Sequence, residues 1–479
     1  MRNALASVQE ENSNPYVQIT ASQWALGGVL LLVYLLTIGT LNVSSGSPNV
    51  HLVYISFLAK TALLFAPFLI ARVKGWGWFH PLVFTSLWLF VRQVLPKSGL
   101  FVDGLSYHEA LPGYTEASLN LLVAYGLGLQ AFALGITYLG YATAPRFKVP
   151  SLSLAKPSRP LLKTILIGGI TGLAFYRIVS AVGGIGQLIL LRGAGLIGRT
   201  KAYGGGQWIF LVEQLTNACV IWFATDDRAV KRLSFWGLFV LSLALVFGAT
   251  GSRSGVLFPV LFLLLIWSIR HHRIPFKTIG GAAVVGIFLI GFLGELRGDR
   301  SLLTKPFSES TTDVSASPIE GFSEGIRTIA EYSGSAEGMY PILARVPDEE
   351  SLLLGKSYAS LLALPIPRAI WLNKPEAAGT LAGQVFFDSP GRGVPPGSVG
   401  EAYWNFHLLG IIAVFLAWGW FLKWTGRVYL ENRESEAVIA FYAVTILIAR
   451  PHTPTLYEWI LTLLPMVVLA YFILQRKGD

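Results

Sequence analysis

Apolar runs of about twenty residues, the length an α-helix needs to cross a bilayer, recur from near the start of this chain to its end. Lipid offers the backbone no water to bond, so each run must close its own hydrogen bonds as a helix. The recurrence restricts the fold to an all-α polytopic membrane protein. Composition agrees: of 479 residues, 53% are hydrophobic and 13% charged, where soluble domains carry roughly a quarter charged residues. Mean hydropathy is +0.56. The single cysteine, Cys219, lies in an apolar run, which excludes a disulfide within the chain. The opening residues MRNALASVQEENSNPYVQ are polar and acidic. They lack the basic start and short apolar core of a cleavable signal.

We count about twelve spans, at roughly 22–42, 50–71, 77–96, 118–142, 161–183, 206–225, 233–250, 255–270, 277–296, 401–423, 437–450 and 456–474. About nine form a scaffold in residues 1–296 and about three close the chain in 401–479. One large loop, 297–400, with short amphipathic helices, lies between them. Connections on one side carry Arg72 and Lys74, then Arg146 and Lys148, then Arg228, Lys231 and Arg232, then Arg270 and Arg273, then Lys423, Arg427 and Arg433. The alternate short connections hold few cations. Cytoplasmic loops collect lysine and arginine, so both termini are expected in the cytoplasm and the large loop outside, on the periplasmic side of a bacterial inner membrane. The same scatter accounts for the net charge of +10 without a basic groove. It argues for the lipid bilayer as partner and against nucleic acid.

The stretch from Gly355 to Gly410 stands out against this background. It carries Arg368, Lys374, Arg392, Glu401, Tyr403, Asn405 and His407, and an apolar chain gathers such groups where water or a polar substrate meets it. Other outward connections add cations. Residues 185–206 hold Arg192, Arg199 and Lys201, read either as an ordinary interfacial helix or as a clamp for a lipid phosphate. GATGSRSGV, 248–256, sets Arg253 in a turn of small residues: plain turn chemistry, or a pyrophosphate site. GELRGDRS ends the ninth span with Glu295, Arg297, Asp299 and Arg300, which are expected to pair partly with one another. Residues 308–319 are of low complexity, and a helical pattern at 320–346 includes Glu337; its plainer reading is a solvated face. The segment 352–375 is interrupted by Pro365 and Pro367, with Arg368 at the break. Arg450, Pro451 and His452 form the last outward turn.

Two charges lie inside early spans. Arg92 reads as snorkelling to the interface. Lys60 is too deep for that and is expected to face the bundle interior or a wet cavity. Arg177 and Glu213, at matching depths, are expected to face one another or share such a cavity.

Arginines at headgroup depth imply a phosphorylated lipid, and Glu401 and Glu337 are carboxylates placed to act as a general base. The outward side has no DxD, HExxH or paired Cys/His ligand motif, and the chain has no P-loop or dinucleotide fingerprint. Neither a metal nor another cofactor is expected.

The pattern GKSY…LPIPRAIWLNKP followed by GSVGEAYWNFHLLG resembles the bacterial O-antigen polymerase, or oligosaccharide repeat unit polymerase, family. GGIGQLILLRG and the GSRSG turn are also similar, and the resemblance covers most of the chain after about residue 160. One departure is His407, where the family leads us to expect a glycine after the Asn-Phe pair. The resemblance implies a GT-C-type, metal-independent, inverting glycosyltransferase that polymerises polyprenyl-pyrophosphate-linked oligosaccharides. In that reading Arg253 and Arg368 hold the donor pyrophosphate. Glu401, then Glu337, is the candidate base, and Tyr403 and Asn405 hold sugar hydroxyls. Arg192, Arg199, Arg297, Arg300, Arg450 and His452 complete the substrate site. A chain-length regulator and a flippase come into consideration as partners. Three other readings remain: an O-antigen ligase of similar architecture, a polysaccharide transporter or flippase, and a noncatalytic membrane partner protein.

Overall fold

Helix is the only regular structure among the described residues of the chain's computed structural model, which are 16–44, 46–94, 111, 113–146, 148–149, 159–191, 195–226, 228–252, 254–277, 280–281, 338–363, 371, 374–388 and 393–473. In chain order the first helices are α1 (Ala21–Ser44), α2 (Val50–Lys74), α3 (Pro81–Leu89), α4 (Glu116–Thr143), α5 (Pro160–Ala181), α6 (Ile185–Leu190), α7 (Gly195–Ala202), α8 (Gln207–Val212) and α9 (Gln214–Thr225). There follow α10 (Leu233–Thr250), α11 (Ser254–Arg270), α12 (Met339–Arg345), α13 (Lys356–Leu362), α14 (Ala378–Phe387), α15 (Gly397–Glu431), α16 (Glu436–Ile448) and α17 (Thr453–Ile473).

Eight stretches among the described residues are long and apolar enough to cross a membrane: α1, α2, α4, α5, α8 with α9, α10, α15 and α17. The chain is a multi-pass membrane protein. Three other expected spans appear as shorter helices. Span 77–96 becomes α3 with a π turn, Phe90–Val94, while 255–270 becomes α11 and 437–450 becomes α16. Span 277–296 lies almost wholly outside the described residues, as do residues 308–319.

The described chain divides into two units. The first comprises 1–150, 333–433 and 446–458, the second 151–332, 434–445 and 459–479. In the first, α4 packs along both α2 and α15. Close approach of α4 and α15 rests on two glycines. A side chain at Gly140 would run into the Leu416 carbonyl, and one at Gly419 into that of Thr137; small residues are what membrane helices use to approach this closely. The loop helix α12 is drawn into this unit rather than solvated. Met339, Tyr340, Pro341, Ile342 and Leu343 are all buried, and α12 packs on α4, α14 and α15.

α15 is not a simple span. Phe406 (φ −145°, ψ 26°) and His407 (φ 54°, ψ −143°) break it. Before the break, Val399 to Asn405 are all buried, so this half-helix has no lipid-facing side. In the second unit α9 is likewise buried all round and packs against α5, α10 and α11. Cys219 lies within it, fully buried.

Candidate functional site

Lys60 interrupts an otherwise apolar stretch of α2 and is 1% exposed. An ammonium taken out of water must be met by acceptors. Its Nζ donates to Gln130 Oε1 on α4 at 2.5 Å and to Gln93 Oε1 in the π turn at 3.4 Å. Gln130 in turn faces the sulfur of Met339 on α12 at 3.6 Å. The expectation that Lys60 faces the bundle interior is met. Arg92, in the same π turn as Gln93, lies over the Trp88 ring, 5.7 Å from its centroid.

The turn between α16 and α17 brings a third cation. A helix leaves its last carbonyls unbonded and carries partial negative charge there. Arg450 uses this: Nη1 donates to Ile446 O at 3.2 Å and to Ala449 O. Arg450 is 6% exposed, and its Nη2 is buried with no hydrogen-bond partner among the described residues. Burial, then the nearby Arg92, pushes the Arg450 guanidinium down to about 9; it still carries its proton at neutral pH. His452 Nδ1 lies 2.9 Å from Thr455 Oγ1 and 3.3 Å from Ser398 Oγ. Burial first, then Arg450 and Arg92, brings its imidazole from 6.5 to about 3, so it is neutral at pH 7.

These groups line one cavity of about 280 Å³ inside the first unit. Lys60, Arg92, Arg450 and His452 line it together with apolar residues such as Leu82, Phe415, Trp418 and Leu422. Leu82 and Arg92 are ten residues apart along α3 and its π turn, which gives the cavity a length of about 15 Å. No described lining residue is a carboxylate. Glu458, on α17, interacts electrostatically with Arg92, and the site still holds more positive than negative charge. Unequal like charges in a low dielectric repel, and a buried guanidinium nitrogen left unbonded costs free energy. An anion in the cavity would relieve both, and the apolar wall would accept a hydrocarbon attached to it.

A second polar cluster supports the turn. Glu401, fully buried, accepts at Oε1 from Ser357 Oγ and Thr453 Oγ1, both at 2.7 Å, and at Oε2 from Thr453 N at 2.8 Å. Asn405, one turn on, donates to Ser357 Oγ and Glu401 O at 2.8 Å and accepts from Gly355 N at 2.9 Å. The break in α15 frees carbonyls that a continuous helix would use. Leu353 N donates to Trp404 O and Leu354 N to Asn405 O, at 2.9 and 3.1 Å.

Among the residues singled out in the sequence, the structure brings Arg450 and His452 to the cavity, and Glu401 and Asn405 to the adjoining network. Tyr403 is buried with its hydroxyl 2.6 Å from His407 Nε2. Arg199, in the second unit, is 2% exposed. It donates to Leu191 O at 3.2 Å and to Ala249 O at 3.4 Å, so it braces the end of α10 beneath the GSRSG turn. Arg177 lies over the Trp208 ring of α8, the helix that Glu213 ends. Arg192, Arg253, Arg297, Arg300, Glu337, Arg368 and Arg392 lie outside the described residues. Sequence reasoning read Arg92 as snorkelling to the interface rather than as part of a site, and did not single out Gln93, Gln130, Ser357 or Thr453. The signal for the first three was present: polar residues inside consecutive spans mark functional positions.

The chain matches no protein-family model, no curated protein and no solved structure.

Proposed function

We propose that the chain is a membrane glycosyltransferase that polymerises polyprenyl-pyrophosphate-linked oligosaccharide repeat units on the periplasmic face of a bacterial inner membrane. The observation that carries this reading is the cavity. Three cations, one with a buried unbonded nitrogen, line a cavity that apolar side chains also wall, which suits a phosphorylated headgroup on a hydrocarbon chain. The sequence resemblance supplies the sugar chemistry.

In this reading an acceptor hydroxyl attacks the donor's anomeric carbon from the face opposite the pyrophosphate. The bond from that carbon to the phosphate oxygen breaks, and its electron pair leaves with the pyrophosphate. Preplaced donors at Lys60, Arg92 and Arg450 stabilise the charge that develops there. The hydroxyl proton passes to a carboxylate. Glu337 takes that role ahead of Glu401, because both Glu401 oxygens are engaged and Glu337 stands two residues before the cavity-lining Met339.

Purified full-length chain, given a polyprenyl-pyrophosphate-linked repeat unit, should yield a ladder of lengthened lipid-linked products. A single transfer to a different acceptor would make it a ligase. A second class of reading, a lipid-phosphate transporter, is favoured by the broken α15, since discontinuous helices line transport sites. Movement of donor across vesicles without new glycosidic bonds would establish that instead.

A further inference from the structure

The first half of α15 is a hub. Two separate pieces of chain bond to residues 398–405, the cavity borders the same stretch, and none of these bonds depends on a ligand. The segment 353–357 attaches through two backbone bonds to Trp404 O and Asn405 O, through Gly355 N to Asn405, and through Ser357 to both Glu401 and Asn405. The turn after α16 attaches through Thr453 to Glu401 and through His452 to Ser398. The cavity attaches through Ser398 and Val399, which line it.

Glu401 is where the first two meet. Its Oε1 is shared by Ser357 Oγ and Thr453 Oγ1, so one oxygen ties the large loop to the turn. Thr453 follows His452 directly and Arg450 by three residues. His452 is also held by Ser398 and Thr455 and Arg450 Nη1 by the end of α16, while Nη2 is buried with no partner among the described residues. The direction of Nη2 follows from how the turn is seated, and the turn is seated by Glu401.

We infer that Glu401 is the positioning residue of the cavity, coupling the loop segment at Ser357 to the orientation of Arg450 and His452. The inference rests on the cavity being the anion site proposed above, and it changes the role that the sequence alone would give Glu401. A general base needs an oxygen open to the acceptor; a positioning carboxylate needs both oxygens occupied, as they are here. Ser357 is not among the residues lining the cavity, so an effect of Ser357 on anion binding has to travel through its partners Glu401 and Asn405.

The test uses full-length protein in detergent, with inorganic pyrophosphate as the probe read by thermal shift and titration. Ser357→Ala and Glu401→Gln should each fold. Gln keeps an acceptor for Thr453 N and a donor for Ser357, so Glu401→Gln should retain most turnover and lose affinity modestly. Ser357→Ala should weaken pyrophosphate binding about tenfold, the change that 1.4 kcal/mol of coupling makes. In an Arg450→Ala background it should weaken binding no further, because the cation it positions is gone. Ser357→Ala binding like wild type, or an unchanged tenfold loss in the Arg450→Ala background, overturns the inference. So does a Glu401→Gln variant with full affinity and no turnover, which is the signature of a base.

If wild type itself binds no pyrophosphate, the anion-site reading has failed and the positioning is judged separately. The His452→Cys variant should then react with a water-soluble thiol reagent at a rate that Ser357→Ala alters. An unchanged rate overturns the inference; a changed rate sustains it without the anion.

Discussion

Arg199 and Arg450 invite comparison. Each is a buried arginine beside a tight connection between helices, and each donates to the last carbonyls of a helix: Arg199 to Ala249 O at the end of α10, Arg450 to Ile446 O and Ala449 O at the end of α16. Helix dipole and orphan carbonyls favour a cation at both places. The difference is in what surrounds the rest of the guanidinium. Arg199 also donates through Nε to Leu191 O, and Tyr203 donates to the same Ala249 carbonyl. Gly251 presses so close that any side chain there would meet the guanidinium. Arg450 has Nη2 left over beside a cavity that holds two more cations. A guanidinium at a helix end is structural by default. It becomes a candidate for binding when a donor is left unbonded and faces space.

The largest expected effect tests the Arg450 half of this contrast. Arg450→Ala should lower turnover by about 10²–10³-fold, the loss of one preplaced donor to developing charge. Arg450→Lys should not restore it, because Lys lacks a second planar donor. Glycan transfer by purified protein checks this; normal turnover in both variants would return Arg450 to the structural class.

Next comes the Arg199 half. Arg199→Ala leaves the Leu191 and Ala249 carbonyls short of a donor and should cost roughly 1–3 kcal/mol of stability, read as a lower melting temperature in detergent. Turnover per folded molecule should stay within a few-fold of wild type. Loss of turnover with unchanged stability would erase the distinction.

A smaller effect is expected at the break in α15, which touches neither arginine. His407 sits at φ 54°, ψ −143°, a region that side chains avoid and that costs about 1–3 kcal/mol. Its ring recovers part of this through the 2.6 Å bond to Tyr403. His407→Gly should exceed His407→Ala in stability by about 1–2 kcal/mol, with equal pyrophosphate affinity. Equal melting temperatures for the two would show that the strain is absent.

The smallest effect is the pH dependence of the Arg450 turn. His452 titrates at about 3 instead of 6.5, so the unfolded chain binds its proton first. The stability it contributes is complete above pH 6.5 and is lost as pH falls from there toward 3. His80, also brought to about 3 by burial, adds a loss in the same window. His452→Gln should therefore fall less steeply in melting temperature between pH 6.5 and 4.5 than wild type does, while keeping some of the slope. An equal fall would mean that His452 takes up its proton in the folded turn as readily as in the unfolded chain.

Much of this was readable from the chain. The long spans follow from local hydropathy, and Lys60 was placed inward because an ammonium at mid-bilayer has nowhere else to go. The expected glycine at His407 corresponds to a backbone that glycine would enter without strain. The site was read less well. Arg92 was assigned to the interface, and the residue is exposed as snorkelling requires; what the sequence did not show is that it also borders the cavity. Glu401 and Asn405 were read as open to substrate because they stand beside polar loop residues in sequence. In three dimensions the same loop folds back at 353–357 and covers them.

The sequence by itself determined that this is a multi-pass helical membrane protein, because bilayer thickness and the need to satisfy the backbone act on each run of residues separately. Tertiary structure alone decided which polar residues became mortar and which were left with something to bind. That outcome depends on how many acceptors come within reach of each donor. Leu191 O and Ala249 O reach Arg199 from eight and fifty residues away, while nothing described reaches Arg450 Nη2, and no count along the chain distinguishes the two.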